Sequence, residues 1–467
     1  MAKIKITDST FCDAASTLVG GRLKNDMILP IIEQLDGIGL AAVEAFGGAT
    51  FEACLTSVFE DPWKRLKLIR EKLKKTPLQM SFYGQNALGN KNFPDDTVEY
   101  FVKRAIDNGV DRLRVTDPLN DLRNIESTLR AVSRTNAKVI AGIAYTPGSC
   151  FNSDVFILYA KQLEAMGASE ISIQDDAGAL RPYDAYQLVK SLKGALLPST
   201  PIHLHTHCKA GMGMSTALKA AEAGIDSIDA ALAPFAMGAS LPSAEALVAI
   251  FDRTPYSTDL DPDSFLAANE KMSLLRAYCD NNHMIPTETM TTDMQNIKHL
   301  IPGNLTVFLA DILRDAKIEN RYNDVATEIA RIREECGNPP LLTPVGEIII
   351  AQAVLNTIED KRYAMLTREF KALVRGEYGR TPIEISPSFR NAITGSTEGI
   401  DYRPADRMEP LIEKLRESIA PYTEHEDDIL TYAIFRKKAL DFFEARRIKI
   451  YGHDENADYE NKVHVVQ

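Results

Sequence analysis

The chain has 467 residues, 45% of them apolar and 25% charged, which is the balance of a soluble globule with room for one large domain and a smaller one. Its net charge of −12 argues against a nucleic-acid backbone or an anionic membrane as partner, and its longest apolar runs fall short of a membrane span. Six scattered cysteines include no C-x-x-C pair, and the opening Met-Ala-Lys-Ile-Lys-Ile leads into a strand pattern rather than a signal peptide; both point to reduced thiols in the cytoplasm.

Short apolar strands alternate with amphipathic helices through the first half. Strands are expected near residues 4–9, 41–46, 78–83, 112–116, 139–145, 170–174, 202–207 and 227–232. Between them lie helical patterns such as residues 156–166, where Phe156, Tyr159, Ala160, Leu163 and Met166 share a face. Gly39, Gly109, Gly167 and Gly224 each stand just ahead of a strand, where a left-handed residue would end the preceding helix. Eight strand–helix units predict a closed (β/α)8 TIM barrel over residues 1–300. Helical patterns then dominate, broken by turn markers at Ile301-Pro-Gly-Asn304, Gly337-Asn-Pro-Pro340 and Gly376-Glu-Tyr-Gly-Arg-Thr-Pro382. A mostly helical C-terminal domain is expected over residues 301–467, with a polar tail after about Gly452.

The densest chemical signal is Pro201-Ile-His-Leu-His-Thr-His-Cys208. His203, His205 and His207 are three of only eight histidines, and a period of two turns them to one face of a strand. Two such imidazoles at a strand end could grip a divalent ion; the alternative is a packed strand whose histidines hydrogen-bond locally. Asp13 follows the first strand on the same rim, as a third ligand or as a helix N-cap, and spacing leaves both open. Asp8, Glu44, Gln85, Asn86, Asp117, Asn120, Asp175 and Asp176 also fall just past strand ends, on the face where such barrels carry their chemistry. In Gln174-Asp175-Asp176 the neighbouring carboxylates point opposite ways, and capping of the next helix is expected of one of them. Gly211-Met-Gly213-Met-Ser-Thr216 lacks the third glycine of a dinucleotide fingerprint and reads as a tight loop at the rim rather than a phosphate cradle. Cys12 and Cys208 read as small buried residues rather than nucleophiles.

Further markers identify a family. Ile6-Thr-Asp-Ser-Thr10, Glu44-Ala-Phe-Gly-Gly-Ala-Thr-Phe51, Asp61-Pro-Trp63, Thr76-Pro-Leu-Gln-Met80 and Gly84-Gln-Asn86 are joined by Leu119-Asn-Asp121, His203-Leu-His-Thr-His207, Pro234-Phe-Ala-Met-Gly238 and Glu426-Asp-Asp-Ile-Leu-Thr-Tyr-Ala433. Together they resemble the carboxyltransferase domain of biotin-dependent enzymes: the oxaloacetate decarboxylase α subunit, the pyruvate carboxylase carboxyltransferase domain and the transcarboxylase 5S subunit. The resemblance runs from Ile6 to about Tyr451. It implies a metal-bound 2-oxo acid that gains or loses a carboxyl group carried by biotin on a separate carrier protein. It also implies a zinc, manganese or cobalt ion and a homodimer, and leaves room for partner subunits in a membrane complex. The family's ligand aspartate and two histidines carry over to Asp13, His205 and His207.

Other family positions are substituted. The resemblance puts Cys12 where an arginine precedes the ligand aspartate and Ser16 where a glutamine follows it. Tyr83 stands for the pyruvate-binding arginine, and Asn90 for a tyrosine. Gln174 replaces the carboxylated metal-binding lysine, and Ala239 the threonine that shuttles a proton to and from biotin. Glutamine forms no carbamate, the lost arginines remove bidentate clamps, and alanine has no hydroxyl. The expectation is a carboxyltransferase or decarboxylase subunit acting with a separate biotin carrier on a small acid or acyl substrate other than pyruvate or oxaloacetate. A catalytically inactive scaffold or regulatory homologue in a biotin-enzyme complex is one alternative, and a biotin-independent metal-dependent lyase is another. No Met-Lys-Met carrier sequence and no ATP-binding carboxylase module is read in the chain, so biotin is expected on another protein.

Overall fold

Eight parallel strands close on themselves in chain order. They are β1 (Lys5–Asp8), β2 (Ala42–Phe46), β3 (Leu78–Phe82), β4 (Arg112–Thr116), β5 (Lys138–Ala144), β6 (Glu170–Asp175), β7 (Ile202–Thr206) and β8 (Ser227–Ala230). β8 pairs back onto β1, with Ile6 opposite Ile228. Each strand lies within two residues of its expected position. The computed structural model describes residues 2–148, 152–359 and 361–451; Cys150 and the tail after Gly452 lie outside the described residues.

Helices between the strands wrap the barrel because their apolar faces have only the sheet to bury against. In Ser153–Ala165, Phe156, Tyr159, Ala160 and Leu163 are buried as the periodicity predicts, Met166 is half-buried at the end, and Asn152 caps the start by accepting from the Val155 amide at 3.1 Å. Gly39, Gly109, Gly167 and Gly224 all take positive φ, between 94° and 109°.

The barrel interior is ionic rather than apolar. Arg112 donates to Gln79 (3.1 Å) and Glu170 (2.7 Å), and Gln79 donates to Glu44 (2.7 Å). Arg114 bridges Glu44 and Asp229, and Ser9 donates to Glu44 at 2.9 Å. Buried charges of this kind are tolerated only when paired and hydrogen-bonded, so the ring fixes side-chain positions around the axis.

Two large apolar cores and a small third cluster of Ala177, Ala179 and Leu300 form among the described residues. One joins the barrel, its helices and residues from Ile412 to Phe443; the other runs from Ile301 to Ile393 and includes Leu119. The last helices clamp the barrel flank. Trp63 Nε1 donates to Thr431 Oγ1 at 2.9 Å, and Phe435 stacks on Phe51 at 5.4 Å and 14°. Two of the sequence markers, around Trp63 and Thr431, are thus the two sides of one contact. Among the described residues no helix is long and apolar enough to cross a membrane.

Candidate metal centre

Asp13 sits in a π-helical turn, Thr10–Ala14, just past β1. Such a turn carries one extra residue per hydrogen-bonded loop and re-aims the side chains on it. The helix that follows, Ala15–Val19, has no side-chain N-cap, which removes the capping role for Asp13. Its carboxylate instead accepts from Thr17 Oγ1 at 3.2 Å and turns to the β7 histidines. Asp13 Oδ1 lies 3.2 Å from His207 Nε2, and Oδ2 lies 3.6 Å from His205 Nε2. The two Nε2 atoms are 3.2 Å apart.

The outer partner of each ring assigns its proton. His207 Nδ1 lies 2.6 Å from the Ala239 carbonyl, which can only accept, so Nδ1 carries a hydrogen and Nε2 is the nitrogen left for an ion or, without one, a second proton. His205 Nδ1 lies 2.7 Å from Asp229 Oδ2. Burial raises the Asp229 pKa, but His203 and Arg114 outweigh it and hold the group well below the usual carboxylate range. The ionised Asp229 therefore accepts the Nδ1 proton, and His205 Nε2 faces inward bare. Arg114 Nη1 donates to Asp229 and lies 2.9 Å from the same Nδ1.

His203 lies one layer deeper. Its Nε2 reaches Asp229 at 2.5 Å and its Nδ1 accepts from Ser227 Oγ at 2.7 Å. All three histidines share a face, as expected, but His203 orients Asp229 and has both nitrogens occupied.

Two nitrogens about 2.1 Å from one ion, at angles between ~90° and ~110°, lie roughly 3.0–3.4 Å apart. The imidazole pair, with a carboxylate at 3.2 and 3.6 Å, fits that bite, and the trio is buried. Without a cation the pocket takes up a proton. Burial lowers His207, yet Asp13 outweighs burial and holds the ring up at about 9. Burial likewise raises Asp13, but His207 and His205 pull it well below its ordinary value.

The other predicted residues divide. Cys12 lines the cavity beside Asp13, but burial raises its thiol well above the ordinary value, and Cys208 is pushed up to about 12. Neither is a thiolate. Ser16 donates its hydroxyl to the Cys12 carbonyl at 2.6 Å. Tyr83 is half-buried against Gly48; burial first, and the charges of Asp176 and Asp13 after it, hold its phenol protonated. Gln174 is in the barrel, in register with His205, and its amide nitrogen donates to Ser172 Oγ. Ala239 contributes main chain, its carbonyl on His207 and its amide donating to Thr289 at 2.7 Å. Asn90 is exposed, its carbonyl accepting from Tyr378 at 2.7 Å, and it lines the same cavity as Asp13 and Tyr83.

Most polar residues past the strand ends brace local turns. Asp8 accepts from Thr10, Asp117 from the amides of Leu119 and Asp121, Asn120 brackets Ala144, Gln85 donates to the Phe93 carbonyl and Asn86 to Asn92. Asp175 accepts from the amides of Ala179 and Leu180 and from Thr206. Asp176, its neighbour, turns to the centre, with Oδ1 3.8 Å from His205 Nε2. At Gly213 a Cβ would sit 2.5 Å from Cys208 Sγ, so the glycine motif is a close approach of helix to strand end, as the tight-loop reading expects.

Three contributors escaped the sequence reading. Arg114 and Asp229 orient the ligands together with Glu44, which the strand-end pattern does single out, and the alternation Arg112-Leu-Arg114 in a strand was the available signal for an ionic interior. Gly303 arrives from the helical half, and a Cβ there would come 2.0 Å from the Ala239 carbonyl and 2.2 Å from His207 Nδ1. No local pattern connects residues so far apart in sequence. Above the trio opens a cavity of about 1580 Å³, reached by Asp13 and Arg114 from the barrel and by Asn304, Glu347 and Arg407 from the helical half.

The chain is thus a closed parallel (β/α)8 barrel with an Asp-His-His set that could hold a metal ion at the strand ends where such barrels carry their chemistry. Residues 297–466 match the profile described as "Conserved carboxylase domain", and residues 102–271 the one described as "HMGL-like". The chain is 38% identical to the pyruvate carboxylase B subunit of Methanocaldococcus jannaschii, over 94% of this chain and 77% of that protein. It is 31% identical to the methylmalonyl-CoA carboxyltransferase 5S subunit of Propionibacterium freudenreichii subsp. shermanii, over 95% of this chain and 88% of that one. The carboxyl transferase domain of Rhizobium etli pyruvate carboxylase, solved with pyruvate and biocytin, superposes with a TM-score of 0.88 at 26% identity, covering 97% of this chain and 78% of that one. The chain belongs to the carboxyltransferase subunits of biotin-dependent enzymes.

Proposed function

We propose that this protein moves a carboxyl group between biotin on a separate carrier protein and a small 2-oxo acid bound over Asp13, His205 and His207. The observation that carries the proposal is the pair of facing Nε2 atoms 3.2 Å apart beside a buried carboxylate. A divalent ion held there would polarise the 2-oxo group and stabilise negative charge developing on its oxygen. Zinc, manganese and cobalt all suit one carboxylate and two imidazoles. The chain's own residues orient those ligands through Asp229 and the Ala239 carbonyl, and Tyr83 stays protonated as a hydrogen-bond donor beside them.

The lost arginines led to an expectation of a substrate other than pyruvate. Kinship supports pyruvate instead: relatives 38% and 36% identical are both named as the B subunit of pyruvate carboxylase. Pyruvate is therefore the acceptor in this proposal, held by the ion and Tyr83 without a bidentate arginine, and a high KM follows. Partners in this reading are a biotin carrier protein and a second copy of the chain.

Gln174 and Ala239 favour a second reading, a homologue that binds metal and carrier without turnover. One assay separates the two. The protein, loaded with Mn²⁺ or Zn²⁺, is given oxaloacetate with and without biotin, and pyruvate release is followed. Biotin-dependent release that disappears in His205→Ala supports the first reading. Bound metal with no turnover on pyruvate, oxaloacetate or 2-oxoglutarate supports the second.

A further inference from the structure

Asp176 is buried, 6% exposed, and its Oδ1 has no hydrogen-bond partner. A buried carboxylate oxygen left unpaired is costly, and such an atom calls for an explanation. The rest of the residue is held firmly. Its carbonyl accepts from the Gly303 amide at 2.7 Å, and its Oδ2 faces Asn304 Nδ2 at 3.4 Å. His205 Nε2 lies 3.8 Å from Oδ1. That nitrogen presents a lone pair, because Asp229 holds the ring's proton on Nδ1. A carboxylate oxygen pointed at a lone pair is repulsive unless a cation lies between them.

From this juxtaposition we infer that Asp176 is the fourth protein ligand of the divalent centre, joining Asp13, His205 and His207. The inference rests on the metal centre proposed above. The present 3.8 Å is a few tenths of an ångström beyond the bite of two cis ligands, a gap closed by rotation about the carboxylate's soft terminal torsion. Charge supports the assignment. With Asp13 alone, a divalent ion leaves a net positive charge in a buried pocket; with Asp176 the two carboxylates neutralise it. Gln174 cannot supply that second negative charge, since its amide is neutral and turned to Ser172. The position two residues along the same strand end supplies it instead. The anchoring turn comes from the helical half, so Gly303 and Asn304 make ligand geometry depend on how that half seats on the barrel.

The test is metal binding itself. Mn²⁺ affinity of the full chain is measured by titration calorimetry and by the loss of the free-ion electron paramagnetic resonance signal, and the Zn²⁺-loaded protein is examined by X-ray absorption for its shell of low-Z ligands. Asp176→Asn and Asp176→Ala should each weaken Mn²⁺ at least about tenfold and change the Zn²⁺ shell, while Gln174→Ala leaves both unchanged. Circular dichroism and melting of each variant check that the chain is folded. If wild type binds neither ion, the underlying centre is refuted. If wild type binds and both Asp176 variants bind equally with the same shell, the centre stands and the role of Asp176 is overturned.

Discussion

His205 and His207 turn their Nε2 atoms to each other across 3.2 Å, because the Nδ1 of each ring is engaged on its far side, by Asp229 in one and by the Ala239 carbonyl in the other. Two nitrogens at that distance, beside the Asp13 carboxylate, form a place that favours positive charge, a proton on His207 in the metal-free protein or a divalent ion in its stead. The arrangement is fixed before any ion arrives, since both outer partners are buried and themselves anchored.

Asp229 is where that preorganisation is most open to a direct test. Replacing it by Asn keeps the shape but offers His205 Nδ1 a weaker acceptor that can flip to a donor. Outer partners of this kind typically control about 10–100-fold of metal affinity. Asp229→Asn should therefore weaken Mn²⁺ or Zn²⁺ binding by at least about tenfold, measured by competition with a chromogenic chelator. Unchanged affinity would show that the His205 tautomer does not depend on Asp229. Arg114, which also leans on Asp229, makes some loss of stability an expected companion effect.

Gly303 is a steric prediction. A methyl group there would overlap the Ala239 carbonyl at 2.0 Å and His207 Nδ1 at 2.2 Å, distances no real Cβ adopts. Both of those atoms belong to the hydrogen bond that sets the His207 tautomer. Gly303→Ala should thus lower thermal stability by the equivalent of about 2–3 kcal/mol and weaken metal binding in the same variant. The control is Gly167→Ala, where nothing lies within 4 Å and only the backbone conformation resists. It should cost less and leave metal affinity alone.

The barrel was legible in the sequence because its signals are local. Apolar runs of strand length, amphipathic helices between them and a glycine ahead of each of several strands repeat at short range, and each expected strand falls within two residues of an observed one. The alternation of His203, His205 and His207 was equally plain, but periodicity could not say that His203 would be spent on Asp229 and Ser227. The carboxylates past the strand ends looked alike in sequence. Asp8, Asp117 and Asp175 were absorbed by turn amides within five residues, while Asp176 was left facing the centre, and only backbone direction separates them. Gly303 lay beyond reach altogether, because what constrains it is a tertiary contact with a strand end nearly a hundred residues earlier.

The thiols give a chemical check on the nucleophile alternative. Cys12 and Cys208 are buried and both are raised by burial, so neither carries thiolate at neutral pH. The native protein should leave both unmodified by a thiol-reactive dye over minutes and release them on unfolding in guanidinium, with labelled peptides read by mass spectrometry. Cys12→Ser should retain metal binding. Rapid labelling of Cys12 in the native state would overturn the buried-thiol assignment and make it a reactive group again.

The pH dependence of the metal-free protein follows from His207. Burial lowers the group, but Asp13 holds it up at about 9 in the folded state against an ordinary 6.5. A group whose folded pKa is raised contributes stability that is fully present below the unfolded pKa and is lost as pH climbs through the folded one. Apo stability should therefore fall between about pH 6.5 and 9. Asp8, Asp117 and Asp175, pushed up to about 7 by burial, act with the same sign, but their contribution is spent earlier, as pH rises from 3.8 through 7. The metal acts oppositely, because an ion at Nε2 must displace the proton, and its affinity should rise with pH until about 9. Melting curves from pH 6 to 9.5, with and without saturating Mn²⁺, should diverge as pH increases. His207→Gln should remove the part of the apo decline above pH 7.5 and abolish the divergence. Apo and metal-loaded curves that run parallel across that range would mean that proton and ion do not compete for His207, and the ligand assignment would fail with them.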